Sequence, residues 1–155
     1  MLGDIMKTFV AVSLWAALAS GAHAAPAFTI DDLSPGEGIA SECYVVLWRS
    51  SAKTQNGVRP AVLESDGERA YVKVDGEVYP LRPVGQYTYE SAALRSQDQL
   101  PAVKVAAQLK TIRTDITDEG VEVRDLKGEM QVTYGGRHQT IKVLGEYACV
   151  ASAPQ

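Results

Sequence analysis

Hydrophobic and polar positions alternate with period two over much of residues 61–149, the pattern of half-buried β-strands. The alternation is broken by Asp66-Gly67, Asp75-Gly76, Lys127-Gly128 and Gly135-Gly136. Two-residue hairpin loops favour such pairs because both loop positions need φ > 0. The two Asp-Gly pairs test each other. With Asp66-Gly67 as a two-residue loop, Glu64 faces Arg69, Leu63 faces Ala70 and Ala61 faces Val72. With Asp75-Gly76 as another, Val72 faces Tyr79 and Ala70 faces Leu81. Both registers gather Ala61, Leu63, Ala70, Val72, Val74, Tyr79 and Leu81 on one face and leave Glu64, Arg69, Lys73 and Arg82 on the other. Burial of one face fixes register, so residues 60–83 are predicted to form a three-stranded meander. Pro80 belongs at an edge or strand end, because it cannot donate to a ladder.

Upstream, Cys43 to Trp48 is apolar on both faces, as in a strand covered on both sides. Downstream, Gln86 to Glu90 alternates as a short strand, and Ser91 to Pro101 reads as a connection with room for one helical turn capped by Ser91. Residues 103–117 fit two templates. Val103, Val105, Ala107 and Leu109 alternate, while Val105, Leu109, Ile112 and Ile116 would also line a helix. Thr111, Ile112, Thr114, Ile116 and Thr117 are β-branched, which favours a long strand with a bulge near Lys110. Residues 121–126 and 129–134 alternate again. The Gly135-Gly136 hairpin then sets Tyr134 opposite Arg137 and Met130 opposite Ile141, and the last strand runs on to Cys149. The total is about eight strands, an all-β antiparallel fold of the small barrel or sandwich kind.

Composition changes this picture at the N-terminus. Met6-Lys7 is a short basic start, Phe9 to Ala19 is apolar, and Ala22-His23-Ala24 fits the small-x-small cleavage rule. Residues 1–24 therefore read as a signal peptide; Asp4 is out of place in one, which favours Met6 over Met1 as the start. The apolar run is shorter than the roughly 20 residues that span a bilayer, so no membrane anchor is expected after cleavage. Residues 25–38, polar and rich in Pro and Gly, read as a flexible N-terminal arm; 39–150 form a single domain and 151–155 a tail. The expected location is periplasmic or secreted. There, the two cysteines of the mature chain, Cys43 and Cys149, default to one disulfide.

Charge and chemistry narrow the function. A net charge of −4 opposes a nucleic-acid partner. His138 is the one histidine beyond residue 24, so a Ser-His-Asp or Cys-His set would have to use it, and two strand positions after a Gly-Gly turn it is expected at the surface. Too few N and S ligands remain for zinc. Asp115, Asp118 and Glu119 lie close in sequence without the EF-hand pattern and read as a solvated turn. No phosphate loop, dinucleotide fingerprint or nucleophile elbow occurs. The expectation is a non-enzyme without metal or cofactor. Binding features are more evident. The loop from Arg49 to Arg59 carries Arg49, Lys53 and Arg59 and no acid, a basic patch for an anionic partner. Tyr87 and Tyr89 fall on one strand face, where aromatic rings can anchor a partner.

The segment Ala70 to Leu81 (AYVKVDGEVYPL), taken with the Cys43 strand and the late Cys149, resembles the lysozyme inhibitors of the MliC/PliC type. The resemblance implies a small exported antiparallel β-barrel with an early-to-late disulfide. That family carries a Ser-Gly-x-x-Tyr element after this hairpin; here the stretch reads Ser91-Ala92-Ala93-Leu94-Arg95, and Ser91 is the position that matches. The expected function is a binding or inhibitor module for a protein or other envelope macromolecule, with lysozyme as the partner the resemblance implies. The alternative is a non-catalytic structural or assembly factor of the cell envelope.

Overall fold

A computed structural model describes residues 28–34, 42–91 and 101–150. The segments expected to be a signal peptide (1–24), a tail (151–155) and a helical turn after Ser91 lie outside the described residues. Nine strands run in chain order: β1 Ile30–Asp31, β2 Cys43–Arg49, β3 Ala61–Ser65, β4 Ala70–Val74, β5 Glu77–Gly85, β6 Thr88–Ser91, β7 Val103–Ile116, β8 Val121–Tyr134 and β9 Arg137–Val150. Every pairing is antiparallel. Strands β2 to β9 close into an eight-stranded barrel, because β4 also pairs with β5; β1 is an extra strand laid against β4. Full closure removes most of the edges that an open sandwich would leave.

The meander forms as its pattern predicts, with one change. At Asp75-Gly76 both residues adopt positive φ (49° and 82°), and Val72↔Tyr79 and Ala70↔Leu81 pair as expected. At the first hairpin the register slips by two residues, to Leu63↔Val72 and Ser65↔Ala70. The cause is Asp66. Its Oδ1 accepts from the Glu68 and Arg69 amides at 2.8 and 2.7 Å, which widens the loop to four residues with only Gly67 at positive φ. A slip of two keeps every side chain on its own face, so all seven predicted core residues are buried. Glu64, however, faces Tyr71 rather than Arg69. A bulge between Leu47 and Trp48 leaves Val62 without a partner across β2 and adds it to the core.

Residues 103–116 are a strand, and the register shifts between Thr111 and Arg113, next to the bulge predicted at Lys110. Lys127-Gly128 is not a turn: β8 runs unbroken through it. A Cβ at Gly128 would collide with the Gln108 carbonyl oxygen and lie 2.9 Å from its carbon. The glycine serves close approach of two backbones rather than a chain reversal. Gly135-Gly136 does turn the chain, with Tyr134↔Arg137 and Met130↔Ile141 as expected. Cys43 and Cys149 are directly opposed and bonded.

The expected loose arm of 25–38 needs correction over 28–34. Phe28, Ile30 and Leu33 are buried, and β1 is fixed to the β4–β5 turn by Thr29 N to Asp75 Oδ1 (2.7 Å) and Gly76 N to Asp31 Oδ2 (2.6 Å). The Phe28 ring packs on Tyr134 at 5.6 Å, and Tyr134 meets Tyr79 edge-on at 5.8 Å. The aspartates that made this segment look like solvated linker are the groups that tie it down.

These rings carry a pH consequence. Burial, then the hydrogen bond with Tyr134, pushes the Tyr79 phenol well above its ordinary range. Burial, then the bond to Glu146, pushes Tyr44 up to about 12. An unfolded tyrosine titrates near 10. A raised native pKa means the fold holds the neutral phenol, so this stability is intact below about pH 10 and is lost as pH rises towards 12. Alkaline unfolding followed at 295 nm should begin above pH 10. Tyr79→Phe, with no phenol to ionise, should move the midpoint upward; an unchanged or lower midpoint would contradict this origin.

Candidate functional site

The structure separates the residues that the sequence nominated for binding. Arg49, at the end of β2, donates to the Ile30 carbonyl and lies 3.7 Å from Asp32, so its charge holds the N-terminal segment. Arg59 stacks over the Trp48 ring at 5.5 Å. Lys53 is exposed and, among the described residues, unpaired. The loop between them contains its own tight turn: Asn56 and Gly57 take positive φ, and Gln55 and Val58 exchange backbone bonds of 2.8 and 2.9 Å. Two of the three loop cations are therefore engaged internally.

The other candidates serve the barrel. Tyr89 is buried and hydrogen-bonded to Ser65. The Ser91 hydroxyl accepts from the Val103 amide at 3.0 Å and ties β6 to β7. Tyr87 sits in the β5–β6 turn at φ 52° rather than on a strand face with Tyr89. Both tyrosines still line one 310 Å³ cleft at a barrel mouth, with Tyr147 and Arg124. Arg124 is paired with Glu122 and lies 5.1 Å from the Tyr147 ring, so its charge is engaged within the fold. His138 is exposed opposite Thr133. Asp115 pairs with Arg113 at 3.2 Å, and among the described residues no group of His, Cys, Asp or Glu is arranged to hold a metal.

A different surface has unmet bonding capacity. β6 pairs with β7 only from Lys104 to Ala106, and the last bond of this seam is Ala107 N to Tyr87 O. Beyond it, β7 continues to Ile116 with β8 on one side. Among the described residues no strand pairs with its other side. By the two-residue period, the N–H and C=O groups of Leu109 and Thr111 point to that open side, as those of Ala107 point to β6. Ile112 and Ile116 on this arm are 55% and 68% exposed. Long exposed edges are normally shortened, covered or heavily charged, because they template pairing with another chain.

Beside the edge lies a 640 Å³ concavity on the outer face, lined by Ser50, Gln108, Lys110, Lys127, Glu129 and Lys142, with the backbone around Gly128. Lys110 and Lys127 are directly opposed across β7 and β8, and Lys142 is paired with Glu129 in the ladder. Like charges placed opposite one another destabilise a sheet. Among the described residues, none of the three lysines has an ion pair. Of the two registers involved, the one set by Gly135-Gly136 could have placed Lys142 beside Glu129 from sequence. The one uniting Lys110 with Lys127 follows from no local turn signal. Comparison with protein-family models, with curated proteins and with solved structures finds no match to this chain.

Proposed function

We propose that this chain is a binding module for a macromolecular partner, working outside the reducing cytoplasm in the periplasm or as a secreted protein. One observation carries the reading: the edge of β7 beyond Ala107, unpaired among the described residues, which leaves backbone donors and acceptors and two isoleucines open to a partner. An added strand satisfies such an edge through main-chain hydrogen bonds, and alternate side chains select the partner. The Cys43–Cys149 bond fits an oxidising compartment. A photo-crosslinker at Thr114, on the open arm, should capture a discrete envelope protein that the same group at Arg82, exposed on β5, does not. Equal capture at both positions, or none at Thr114, would reject the reading. The version in which the partner is a c-type lysozyme is tested by inhibition at micromolar protein, and no inhibition removes it.

A further inference from the structure

Three lysines without an ion pair among the described residues, Lys110, Lys127 and Lys142, line one concavity beside the open edge. We propose that β7 takes an extended acidic peptide as an additional strand, held by the open backbone of Leu109 and Thr111 and by the charges of Lys110, Lys127 and Lys142. This rests on the binding reading above and deepens it. Two features converge on one place. The open edge supplies hydrogen-bonding groups at strand spacing, which a peptide backbone matches and a sugar or phosphate polymer does not. The lysine concavity opens beside that edge, with three positive groups against one carboxylate, Glu129, for a local charge of 3 − 1 = +2. The chain as a whole carries −4, so this patch runs against the overall charge.

A second copy of the chain is the obvious rival for an open edge. Antiparallel pairing of two β7 edges would bring two such patches, each of charge +2, onto one joint surface, and the like charges would repel. An acidic strand reverses that sign. Alternate residues of an added strand project to the face on which Lys110 lies, so a peptide with an acid at every second position presents its carboxylates to the lysines. Lys127 on β8 and Lys142 on β9 stand one and two strands further in, roughly 10 and 14 Å from the added strand, and act on it through the field of the patch rather than by direct pairing.

The test uses the purified full chain and fluorescently labelled acetyl-(Val-Glu)₄-amide, with binding read by anisotropy at low salt. Three comparisons isolate the terms: acetyl-(Val-Lys)₄-amide, the acidic peptide N-methylated at alternate residues, and the variant K110E/K127E/K142E. The acidic peptide should bind. Affinity should fall at least tenfold on N-methylation and at least tenfold in the triple variant, whose exposed substitutions are checked for folding by circular dichroism. The triple variant should instead favour the Val-Lys peptide. Binding should also weaken as salt rises, as exposed charge pairs require. Equal binding of both peptides, or of the N-methylated one, would overturn the proposal, as would no binding of the Val-Glu peptide at millimolar concentration. A concentration-dependent dimer abolished by Thr111→Pro would assign the edge to a second copy and overturn it too. Failure of the peptide while Thr114 still crosslinks a partner would refute the acidic-strand proposal and leave the binding module standing.

Discussion

Gly128→Ala is expected to destabilise the barrel by about 3 kcal/mol or more, at the upper end of what overpacking costs. The usual reason for a glycine, a left-handed backbone, does not apply here. Gly128 lies within β8, with β7 paired on one side and β9 on the other. Its missing side chain leaves room for β7: a Cβ would strike the Gln108 carbonyl oxygen and come within 3.1 Å of the Leu109 Cα. Those atoms are backbone, so no rotamer change can make room. Either β7 moves away from β8 or β8 twists, and both strain a ladder that runs the length of two 14-residue strands. Gly136→Ala is the control. Gly136 has φ 78° and open space around it, so alanine there meets only the left-handed penalty of about 1–2 kcal/mol. Urea unfolding of the two variants separates the effects. If Gly128→Ala costs no more than Gly136→Ala, the close approach of the two backbones is not a constraint on the fold.

The same glycine marks the limit of what could be read from the chain. Lys127-Gly128 and Gly135-Gly136 look alike as dipeptides between alternating segments, yet one is a crossing point and the other a turn. The difference lies in β7, which is distant in sequence. Asp66-Gly67 and Asp75-Gly76 show the limit at shorter range. Both reverse the chain, but Asp66 uses its carboxylate to hold Glu68 and Arg69, and the loop grows by two residues. Strand face survived that error because a slip of two preserves parity, and for this reason the buried set was legible although the register was not. Phe28 and Ile30 were missed because neighbouring aspartates make the segment look like linker, while Asp31 and Asp75 are the groups that dock it. Barrel closure depends on β2 pairing with β9, two strands from opposite ends of the domain with no turn between them; a list of strands leaves barrel and sandwich equally open.

The candidate site was the least legible part. Arg49, Lys53 and Arg59 are neighbours in sequence, so they looked like a patch, but Ile30, Asp32 and Trp48 come from elsewhere in the chain and engage two of them. Lys110, Lys127 and Lys142 sit on three separate strands and become a cluster only through pairing. The open edge of β7 is a difference in length between neighbours. β6 has four residues and β7 fourteen, so most of β7 outruns its partner. Sequence predicted a short strand followed by a long one, and this mismatch was the available signal.

Removing the disulfide is expected to have the second large effect, up to about 4–5 kcal/mol on the loop-entropy account. Cys43 and Cys149 stand 106 positions apart, so the bond restricts the unfolded chain over nearly the whole domain. In the folded state the pair lies at the outer end of the β2–β9 seam, partly exposed, with the ladder continuing from Tyr44↔Ala148 to Arg49↔Val143. Native packing therefore changes little when the sulfurs go, and Cys43→Ala/Cys149→Ala should still fold. The loss should appear as a lower urea midpoint, matched by the wild-type protein under reductant. The seam joins the first barrel strand to the last, so it is the closure with the highest entropic cost and the one the bond pre-forms. Amide exchange should consequently rise most along residues 44–49 and their β9 partners when the bond is absent. A reduced protein within 1 kcal/mol of the oxidised one would mean that the unfolded chain already keeps these two strands together, and the stabilisation would then belong to residual structure rather than to the crosslink.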